Sequence, residues 1–556
     1  MSSTFTYPYL TNPEYARKVA YFSMEYAIHQ PLKIYAGGLG YLAGSHMRSA
    51  FELKQQMIGI GILWKFGYYD QVRKPDLTMD VLFEEKRYGF LKKTDIKFTI
   101  QVSGHEVWVT AWYLPPEVYQ TAPLFLLTTD LPENDYLAKT ISHRLYDSNP
   151  ETRIAASLLL GLGGGRLLEH LNWEPDTYHL NESHALPLAF YLYQKHKNVE
   201  QVRKRLVFTN HTPEEGGNLK SNSLLLNRME FFCGIPLEEA RVVSWMQGDM
   251  LDHTLTALRM SGLSNAVSKL HKQTMERIWK EPDGFCPMIS ITNAQNFNYW
   301  ADKKMYEALA AANDQKLISL KQSAKDLLFE IVADQTGERY DSRILTLVFA
   351  KRFTGYKRAD LLLFNMDRFE QIVNNQNRPI QIIWAGKPYP MDFNGIGVFD
   401  NIVHICKKYP NCSILVGYEL TMSKLLKNGA DVWLNNPRYT HEASGTSGMS
   451  AAMNGSLNLS IPDGWFPEFA RHKHNCFVIP AVDPSLPEHM QDETDANHLY
   501  DLLEKEIIPL YYDQPSQWLA LIKNSMQEIL PEFDSNRLAS EYYHKLYLPR
   551  TSGPIE

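Results

Sequence analysis

Four cations stand close together in residues 349–358 (FAKRFTGYKR), at Lys351, Arg352, Lys357 and Arg358. They follow an apolar stretch, ILTLVFA, that predicts a β-strand. Cations at the carboxyl end of a strand suit a phosphoryl or pyrophosphoryl group, because charge-assisted hydrogen bonds to phosphate are short and strong. The alternative is a solvated helix start. The segment therefore predicts an anion site.

A second chemically rich segment spans residues 435–455 (NNPRYTHEASGTSGMSAAMNG) and follows the apolar stretch DVWLN. Its small residues offer hydroxyl and backbone donors, and Glu442 can accept hydrogen bonds from hydroxyl groups. Such a loop can bind a sugar ring, although an ordinary polar turn would also have this composition.

Two glycine-rich stretches predict different roles. Residues 34–40 (IYAGGLG) precede a helical pattern, and Gly37 and Gly38 would let backbone N–H groups approach a phosphate or a sugar. A tight turn is the alternative. Residues 161–165 (GLGGG) lie inside a helical pattern and predict close helix packing.

His184 in LNESHALPL and His211 in TNHTPEEGG stand near predicted strand ends or helix starts. Histidine can hydrogen-bond sugar hydroxyls or move protons, although a lone histidine is more often structural. The sequence has no HExxH, no other metal-ligand spacing and no GxSxG elbow. We therefore expect neither a metal site nor a serine nucleophile of that type.

The elements that must position these residues alternate between short apolar strands and longer helices, a pattern typical of parallel α/β folds. Residues 98–114 predict an antiparallel hairpin with its turn at Ser103 and Gly104. A second strand series begins at ILTLVFA. We predict one α/β domain at residues 1–335, a second at 336–530 and a C-terminal helix at 531–556. Two such halves suggest a ligand cleft between them.

Composition excludes several classes of protein. The 556 residues carry 56 Lys+Arg against 63 Asp+Glu, a net charge of -7, which argues against nucleic acid or an anionic membrane as partner. Five scattered cysteines without a CxxC pair predict reduced thiols. The sequence shows neither a signal peptide nor a long apolar run, so we expect a cytoplasmic protein.

Together the motifs resemble one family. The segments YFSMEY, IYAGGLGYLAGSH, LNESHA, VFTNHTP, ITNAQN, FAKRFTGYKR and EASGTSGMSAAMNGSLNLSIPDGW occur in the order found in α-glucan (glycogen/maltodextrin) phosphorylases, in particular their shorter bacterial branch. The resemblance runs from about residue 17 to residue 465. It implies a GT-B fold, in which two Rossmann-like doubly wound domains face a central cleft and C-terminal helices cross back to the first domain. A homodimer and an α-glucan or sugar substrate are also implied.

The resemblance assigns roles to individual positions. Those implied to contact the phosphate or cofactor are Gly37, Gly38, Arg352, Lys357, Thr446 and Ser447. Those implied to contact sugar are Glu442, Ser444 and Gly445 on the hydroxyl-binding loop, His211 and Asn293 at the 6-hydroxyl, Tyr356 as the neighbouring aromatic, and Glu182 and His184 on the acceptor side.

One departure bears directly on the chemistry. Members of this family carry a lysine that forms an imine with pyridoxal phosphate, and Ser450 stands at that position. A hydroxyl cannot form an imine with an aldehyde, so covalent attachment at residue 450 is excluded. Glu214 and Glu215 replace small apolar residues and would repel phosphate if they face it, and Ala294 replaces a glycine.

We therefore favour a retaining α-glycosyltransferase that works without pyridoxal phosphate and uses a nucleotide-sugar donor. Arg352 and Lys357 would neutralise the leaving diphosphate, Glu442 would orient the donor sugar, and His211 would face the reacting carbon. No side-chain nucleophile is evident, which suits a front-face mechanism. The alternatives are a phosphorylase that holds pyridoxal phosphate non-covalently or on another lysine, and a glucan-binding paralogue without activity.

Overall fold

The computed structural model describes residues 5–213, 218–279 and 284–548. The chain divides into two compact units, each described here by itself. Unit 1 comprises Met1–Tyr68, Phe83–Asn293 and Ser535–Glu556, and unit 2 comprises Tyr69–Leu82 and Ala294–Asp534.

The strands of the described residues are numbered in chain order. They are β1 Val19–Phe22, β2 Met57–Ile62, β3 Asp70–Arg73, β4 Met79–Leu82, β5 Lys92–Val102, β6 His105–Leu114, β7 Leu124–Thr128, β8 Thr177–Asn181, β9 Leu206–Thr209, β10 Lys220–Asn222, β11 Met250–Asp252, β12 Leu263–Ala266, β13 Met288–Ser290, β14 Leu345–Ala350, β15 Ile380–Ala385, β16 Cys412–Leu415, β17 Val432–Asn435, β18 Leu457–Ser460 and β19 Phe477–Val478.

The α-helices are numbered in the same way. They are α1 Gly38–Glu52, α2 Pro116–Tyr119, α3 Tyr136–Thr140, α4 Pro150–Leu158, α5 Gly164–His170, α6 Pro187–His196, α7 Val199–Arg203, α8 Ser223–Arg228, α9 Leu237–Ser244, α10 His253–Met260, α11 Lys269–Ile278, α12 Phe297–Trp300, α13 Lys303–Ala310, α14 Asp314–Thr336, α15 Met366–Val373, α16 Phe393–Cys406, α17 Leu420–Gly429, α18 Ser447–Ala452, α19 Glu488–Leu502, α20 Ile508–Asp513, α21 Pro515–Phe533 and α22 Ser535–Glu541.

Unit 2 is built on a parallel sheet in the order β16-β15-β14-β17-β18-β19. Counted from β14, this is the order 3-2-1-4-5-6 of doubly wound, nucleotide-binding sheets, in which the strand order reverses between β14 and β17. Every residue of β14, β15 and β17 is buried, as expected for strands covered by helices on both faces. The parallel sheet of this unit agrees with the predicted α/β class.

Unit 1 has a larger sheet in the order β13-β12-β9-β8-β1-β2-β7-β6-β5. Its parallel part, read from β7 to β13, repeats the reversal, here between β1 and β8. The predicted α/β class with parallel sheets is therefore confirmed for both units, whereas the GT-B arrangement of two facing domains stays a prediction.

The predicted hairpin is confirmed at one edge of this sheet. Strands β5 and β6 pair antiparallel up to Val102 and His105, and the two turn residues Ser103 and Gly104 have φ values of 52° and 77°. Positive φ at both central residues is the geometry of a type I′ turn, which matches the twist of the paired strands.

Helices α13 and α14 lie between the two strand series. Asn313 caps α14 by accepting from the Lys316 amide, and Gly337 ends it with a φ of 79°. Helix α14 packs against α17, so the compact units divide after Asn293, whereas the sequence-based boundary lies at residue 335.

The glycines at 161–165 act in packing, as predicted. A Cβ on Gly161 would lie 2.7 Å from the carbonyl oxygen of Ala185, and one on Gly164 would lie 2.5 Å from the ring of Phe22. The chain forms a π-helical turn at Leu159–Gly163 between α4 and α5. All five cysteines lie within the described residues and are thiols that form no disulfide bond, as predicted. No α-helix of the described segments combines the length and apolarity that crossing a bilayer requires.

Candidate functional site

The two chemically rich segments of unit 2 meet at the point where its strand order reverses. Residues 351–358 follow β14, and residues 436–446 follow its neighbour β17. Carboxyl ends of adjacent parallel strands lie at the same sheet edge, and a reversal in strand order opens a crevice there. The structure therefore brings together the predicted phosphate and sugar residues of this unit.

Lys357 and Glu442 form a buried ion pair at this edge. Burial lowers the pKa of Lys357, but the charges and hydrogen bonds of Glu442 and Tyr356 together outweigh burial and raise it. The backbone amide of Glu442 donates to Asp463 Oδ2 at 2.9 Å, and the Gly464 amide donates to Oδ1 of the same carboxylate at 2.9 Å. Asp463 thereby holds the backbone at Glu442, within the predicted sugar-binding loop.

Asp463 is a buried acid. Burial and the negative charge of Glu442 together raise the pKa of its carboxyl to about 7, against the two amide hydrogen bonds and the charge of Lys357. Asp463 was not among the predicted residues. The signal for it was its place two residues after the apolar stretch SLNLSI, which contains β18, the neighbour of β17.

Lys351 is a buried cation of the same segment. Its amine donates to Ser447 Oγ at 3.1 Å and lies 5.8 Å from the centre of the Trp433 ring, whose Nε1 also donates to Ser447 Oγ. Burial and the positive charge of Lys357 together lower the pKa of Lys351 to about 7, and the charge of Glu442 opposes them. Arg352, the next residue, is exposed.

Arg358 does not share in the anion site that its position in the segment predicts. Its guanidinium is buried and binds Asp492 Oδ1 at 2.9 Å and Asp495 Oδ2 at 2.8 Å. It also donates to the carbonyl oxygens of Asn436 and Pro437. These contacts satisfy the guanidinium fork within the protein, so Arg358 anchors the loop after β17.

The remaining predicted residues of unit 2 line the same loop. A Cβ on Gly445 would lie 3.0 Å from Glu442 Oε1, so the glycine lets the carboxylate approach the loop backbone. Ser444 and Thr446 are buried, and Ser447 begins α18. Tyr356 lies above the loop, with its ring 6.4 Å from that of His441 and its carbonyl accepting from the Arg438 amide.

Ser450 lies inside α18 and is fully buried. Its hydroxyl donates to the carbonyl oxygen of Ser447 at 3.2 Å or of Thr446 at 3.4 Å, both on its own helix. Such back-bonding is the usual way in which a serine inside a helix satisfies its hydroxyl.

The predicted residues of unit 1 also follow its parallel strands. Glu182 follows β8 and His211 follows β9, while Asn293 follows β13 and is buried. The predicted residues thus fall into two sets, one in each unit. Each set lies where the parallel strands of that unit's sheet have their carboxyl ends.

Glu182 and His211 are in direct contact. Glu182 Oε1 accepts from the His211 amide at 2.5 Å and from Thr212 Oγ1 at 3.2 Å, and burial raises the pKa of Glu182 against these bonds. His211 Nε2 lies 2.7 Å from Asn181 Oδ1, an acceptor, so Nε2 carries the proton. Burial lowers the pKa of His211 to about 3, so at neutral pH its Nδ1 keeps a lone pair for a donor.

His184 lines a cavity of about 550 Å³ in unit 1 together with Trp64, Tyr146, Arg153 and His253. Burial lowers the pKa of His184 to about 4, so the ring is neutral at pH 7. Aromatic rings with interspersed hydrogen-bonding groups suit the two faces and the hydroxyls of a sugar. The predicted acceptor-side position of His184 thus lies in a cavity of suitable chemistry.

The glycine loop before α1 already holds an anion of the protein. Glu25 Oε2 accepts from the amides of Ala36 and Gly37, at 2.7 and 3.0 Å, and Glu25 Oε1 accepts from the Tyr146 hydroxyl at 2.6 Å. Glu25 follows β1 at the reversal point of its sheet. The sequence analysis did not identify Glu25, because the segment YFSMEY has the pattern of a strand. The Glu25 carboxylate contacts the glycine loop only in the folded chain.

Space is nevertheless available at the predicted positions. A Cβ on Gly37 or Gly38 would meet nothing within 4 Å, whereas one on Gly40 would lie 2.7 Å from Glu25 Oε2. There is therefore free space next to the Cα atoms of Gly37 and Gly38, whereas a side chain at residue 40 would clash with its neighbours. Glu214 and Glu215, predicted to disfavour phosphate, lie outside the described residues.

Metal binding finds no support in the described part of the chain, where no three His, Cys, Asp or Glu side chains group as metal ligands. The expectation that no metal is required stays a prediction.

Comparisons with known proteins place this geometry in context. The family model described as carbohydrate phosphorylase matches residues 291–504, which include the cation segment and the sugar-binding loop. An uncharacterised protein of Methanocaldococcus jannaschii is 41% identical over 96% of this chain and all of its own.

Relatives with named activities have lower sequence identity, but their similarity also covers nearly the whole of this chain. The maltodextrin phosphorylase of Thermococcus litoralis is 33% identical over 98% of this chain and 72% of its own length. The glycogen phosphorylase of Aquifex aeolicus is 30% identical over 96% of this chain and 86% of its own.

Proposed function

The chain belongs to the carbohydrate phosphorylase family, and from this premise we propose that it transfers a glucosyl group between an α-glucan and a phosphoryl-bearing partner. The observation that carries the proposal is the Lys357–Glu442 pair, held beside Lys351 at the reversal point of the unit 2 sheet. It combines cations for a phosphoryl group with a carboxylate for sugar hydroxyls.

The residues have separable tasks in this proposal. Arg352 and Lys357 neutralise charge on the phosphoryl group as the glycosidic bond breaks, which stabilises an oxocarbenium-like transition state. Glu442, positioned by Asp463, orients the sugar through its hydroxyls. In unit 1, His211 Nδ1 accepts a hydrogen bond from a sugar hydroxyl, and the cavity with Trp64, Tyr146 and His184 binds glucan units.

The cofactor that the family implies fits this chain only in part. Lys351, Thr446 and Ser447 supply donors for a phosphate, and pyridoxal phosphate would bring such a group when bound. Covalent attachment at residue 450 does not fit, because the Ser450 hydroxyl is no amine and bonds to carbonyls of its own helix. No step of the proposed transfer is therefore assigned to the cofactor.

We propose inorganic phosphate as the partner in the first place, so that the reaction is phosphorolysis of an α-1,4-glucan to glucose 1-phosphate. The similarity to relatives named maltodextrin and glycogen phosphorylase, over nearly the whole chain, supports this form.

A second candidate is retaining transfer from a nucleotide-sugar donor to a sugar or α-glucan, without pyridoxal phosphate. Ser450 favours it, since a diphosphate could occupy the space of two phosphates and needs no imine. A cytoplasmic location and a homodimer, both predicted from the sequence, remain part of the proposal.

Product analysis separates the two candidates. Purified protein would be incubated with maltodextrin and inorganic phosphate, and in parallel with maltodextrin and UDP-, ADP- or GDP-glucose. Phosphorolysis yields glucose 1-phosphate in the first reaction. Glucan elongation or nucleoside diphosphate release in the second indicates the nucleotide-sugar form. Absence of transfer in both reactions contradicts the proposed function and leaves the glucan-binding paralogue.

Arg352→Ala tests the anion site. Loss of one preorganised cation that contacts the developing charge should lower kcat/KM by about 10²-fold. Arg343→Ala is the matched control, because Arg343 is exposed, pairs with Asp341 and precedes β14 at its opposite end. Equal activity of the two variants would remove Arg352 from the proposed site.

A further inference from the structure

A cavity of about 620 Å³ lies at the amino ends of the parallel strands of unit 1. Its lining includes Thr177, Val207 and Leu263, which stand at or near the first residues of β8, β9 and β12. The predicted residues Glu182 and His211 follow β8 and β9 at the other end, so the length of these strands, about 15 Å, separates them from the cavity. The cavity is therefore distinct from the candidate site of this unit.

The wall of this cavity carries more positive than negative charge. Its charged side chains are Arg17, Arg203, Lys204 and Glu200. Arg203 is held by the protein, because it pairs with Glu200 at 3.0 Å and donates to two backbone carbonyl oxygens. In the described part of the chain, neither Arg17 nor Lys204 pairs with a carboxylate. The wall therefore favours an anionic ligand.

Hydrogen-bond donors are available at the same wall. Arg17 Nε donates to Thr177 Oγ1 at 3.2 Å, which holds the guanidinium at the start of β8. Ser261 directly follows α10, is fully buried and lines the cavity, and its hydroxyl has no hydrogen-bond partner within the residues that the structure describes. A buried hydroxyl without a partner is costly, and an oxygen atom of a ligand would satisfy it. Guanidinium, ammonium and hydroxyl donors together suit a phosphate group.

The rest of the wall is apolar. Val207, Leu263 and Leu546 are buried, whereas Phe285 and Leu548 are exposed although both are large apolar residues. An apolar ligand would remove their surface from water, which favours binding. An inorganic ion would leave this surface uncovered. The wall therefore suits a molecule that joins an anion to an apolar body.

We propose that this cavity is a second ligand site, which binds an organic phosphate in which a phosphate monoester is attached to an apolar or aromatic body. A phosphate monoester carries a charge of about −1.5 to −2 at pH 7, which matches the charges of Arg17 and Lys204. Its oxygens accept from these two cations and from the Ser261 hydroxyl, and its apolar body covers Phe285 and Leu548. The cavity volume is typical of sites for small molecules. The inference is independent of the reaction proposed above.

Calorimetry on the full chain tests the chemical class of the ligand. Phenyl phosphate, inorganic phosphate and phenol would be titrated separately into the protein. Phenyl phosphate should bind at least about tenfold more tightly than the other two, because only it supplies both the anion and the apolar body. Hydrogen exchange with and without phenyl phosphate then locates the site. Protection should increase in the peptides that contain Lys204, Ser261 and Phe285.

Lys204→Glu tests the charge of the wall. Lys204 is exposed, and the substitution should weaken binding of phenyl phosphate by about tenfold or more, the loss expected for one charge-assisted hydrogen bond. Lys195→Glu is the matched control, because Lys195 is an exposed lysine of the same unit that pairs with Glu169 and does not line the cavity. It should bind phenyl phosphate like the unsubstituted chain. Arg352→Ala, in the anion site of unit 2, should retain the protection at Lys204.

Four results would overturn the inference. They are no binding of phenyl phosphate, equal affinity for phenyl phosphate and inorganic phosphate, protection confined to residues 351–358, and equal binding by the Lys204→Glu and Lys195→Glu variants. Hydrogen exchange on the unsubstituted chain decides the location even if a variant does not fold.

Discussion

At the scale of single residues, the chemistry of unit 2 depends on a small number of buried charges that compensate one another. Lys357, Lys351 and Glu442 lie within each other's electrostatic influence, and Asp463 holds the backbone of Glu442. Breaking a buried ion pair by removing one partner costs about 3–5 kcal/mol, because an uncompensated charge remains. The pair is therefore a structural element of the site as well as a candidate for binding ligand.

A double-mutant cycle on Lys357 and Glu442 should reveal this coupling. Glu442→Gln leaves two cations, Lys351 and Lys357, without their carboxylate, and it should destabilise the protein more than Lys357→Met, which leaves Glu442 beside Lys351. The double variant should cost several kcal/mol less than the sum of the singles. Denaturant unfolding followed by tryptophan fluorescence measures all four proteins. Additive costs would show that the two groups do not interact.

At the scale of elements, the glycines in α1 and in the loop before it have two different roles. Some allow close packing, and others leave space beside the backbone. A Cβ on Gly44 would lie 2.1 Å from the Ala27 carbonyl oxygen, a backbone atom that cannot move away easily. Gly37 has an extended φ of −168° and open space at its Cβ position. Packing therefore constrains only the first of the two.

Alanine substitutions should respond accordingly. Gly44→Ala should destabilise the protein by about 3 kcal/mol, because overpacking against backbone forces α1 away from residue 27. Gly37→Ala should change the free energy of unfolding by no more than about 0.5 kcal/mol. If Gly37 approaches a phosphate, as the resemblance implies, the same variant should still weaken phosphate binding, measured by calorimetry. A marked loss of stability in Gly37→Ala would contradict this distinction.

At the scale of the whole molecule, the two units differ in their response to acid. The fully buried histidines of the described residues, His46, His179, His253 and His271, all belong to unit 1. Burial lowers the pKa of His46 and His253 to about 3 and of His271 to about 4. In the unfolded chain their pKa is about 6.5.

Well above pH 6.5 these imidazoles are neutral in both states and contribute little pH dependence. As the pH falls from 6.5 towards 4, the unfolded chain binds more protons than the folded one, so each histidine lowers the free energy of unfolding by up to about 1.4 kcal/mol per pH unit. Hydrogen exchange of strand peptides at pH 7 and pH 5 should show protection decreasing more in unit 1 than in unit 2. Equal losses in both units would contradict this assignment.

The sequence by itself determined the α/β class, the strand series and the segments that carry the site. Alternation of short apolar strands with helices is a local pattern, and the carboxyl ends of parallel strands must meet at one sheet edge, which places residues 351–358 beside Glu442. Only the tertiary structure decided that Arg358 turns inward, that Glu25 holds the glycine loop and that Asp463 supports Glu442. These facts depend on how side chains from separate elements pack together. A carboxylate after one strand and a loop after another carry no local pattern that relates them, because their contact arises only when the two strands lie side by side in the sheet.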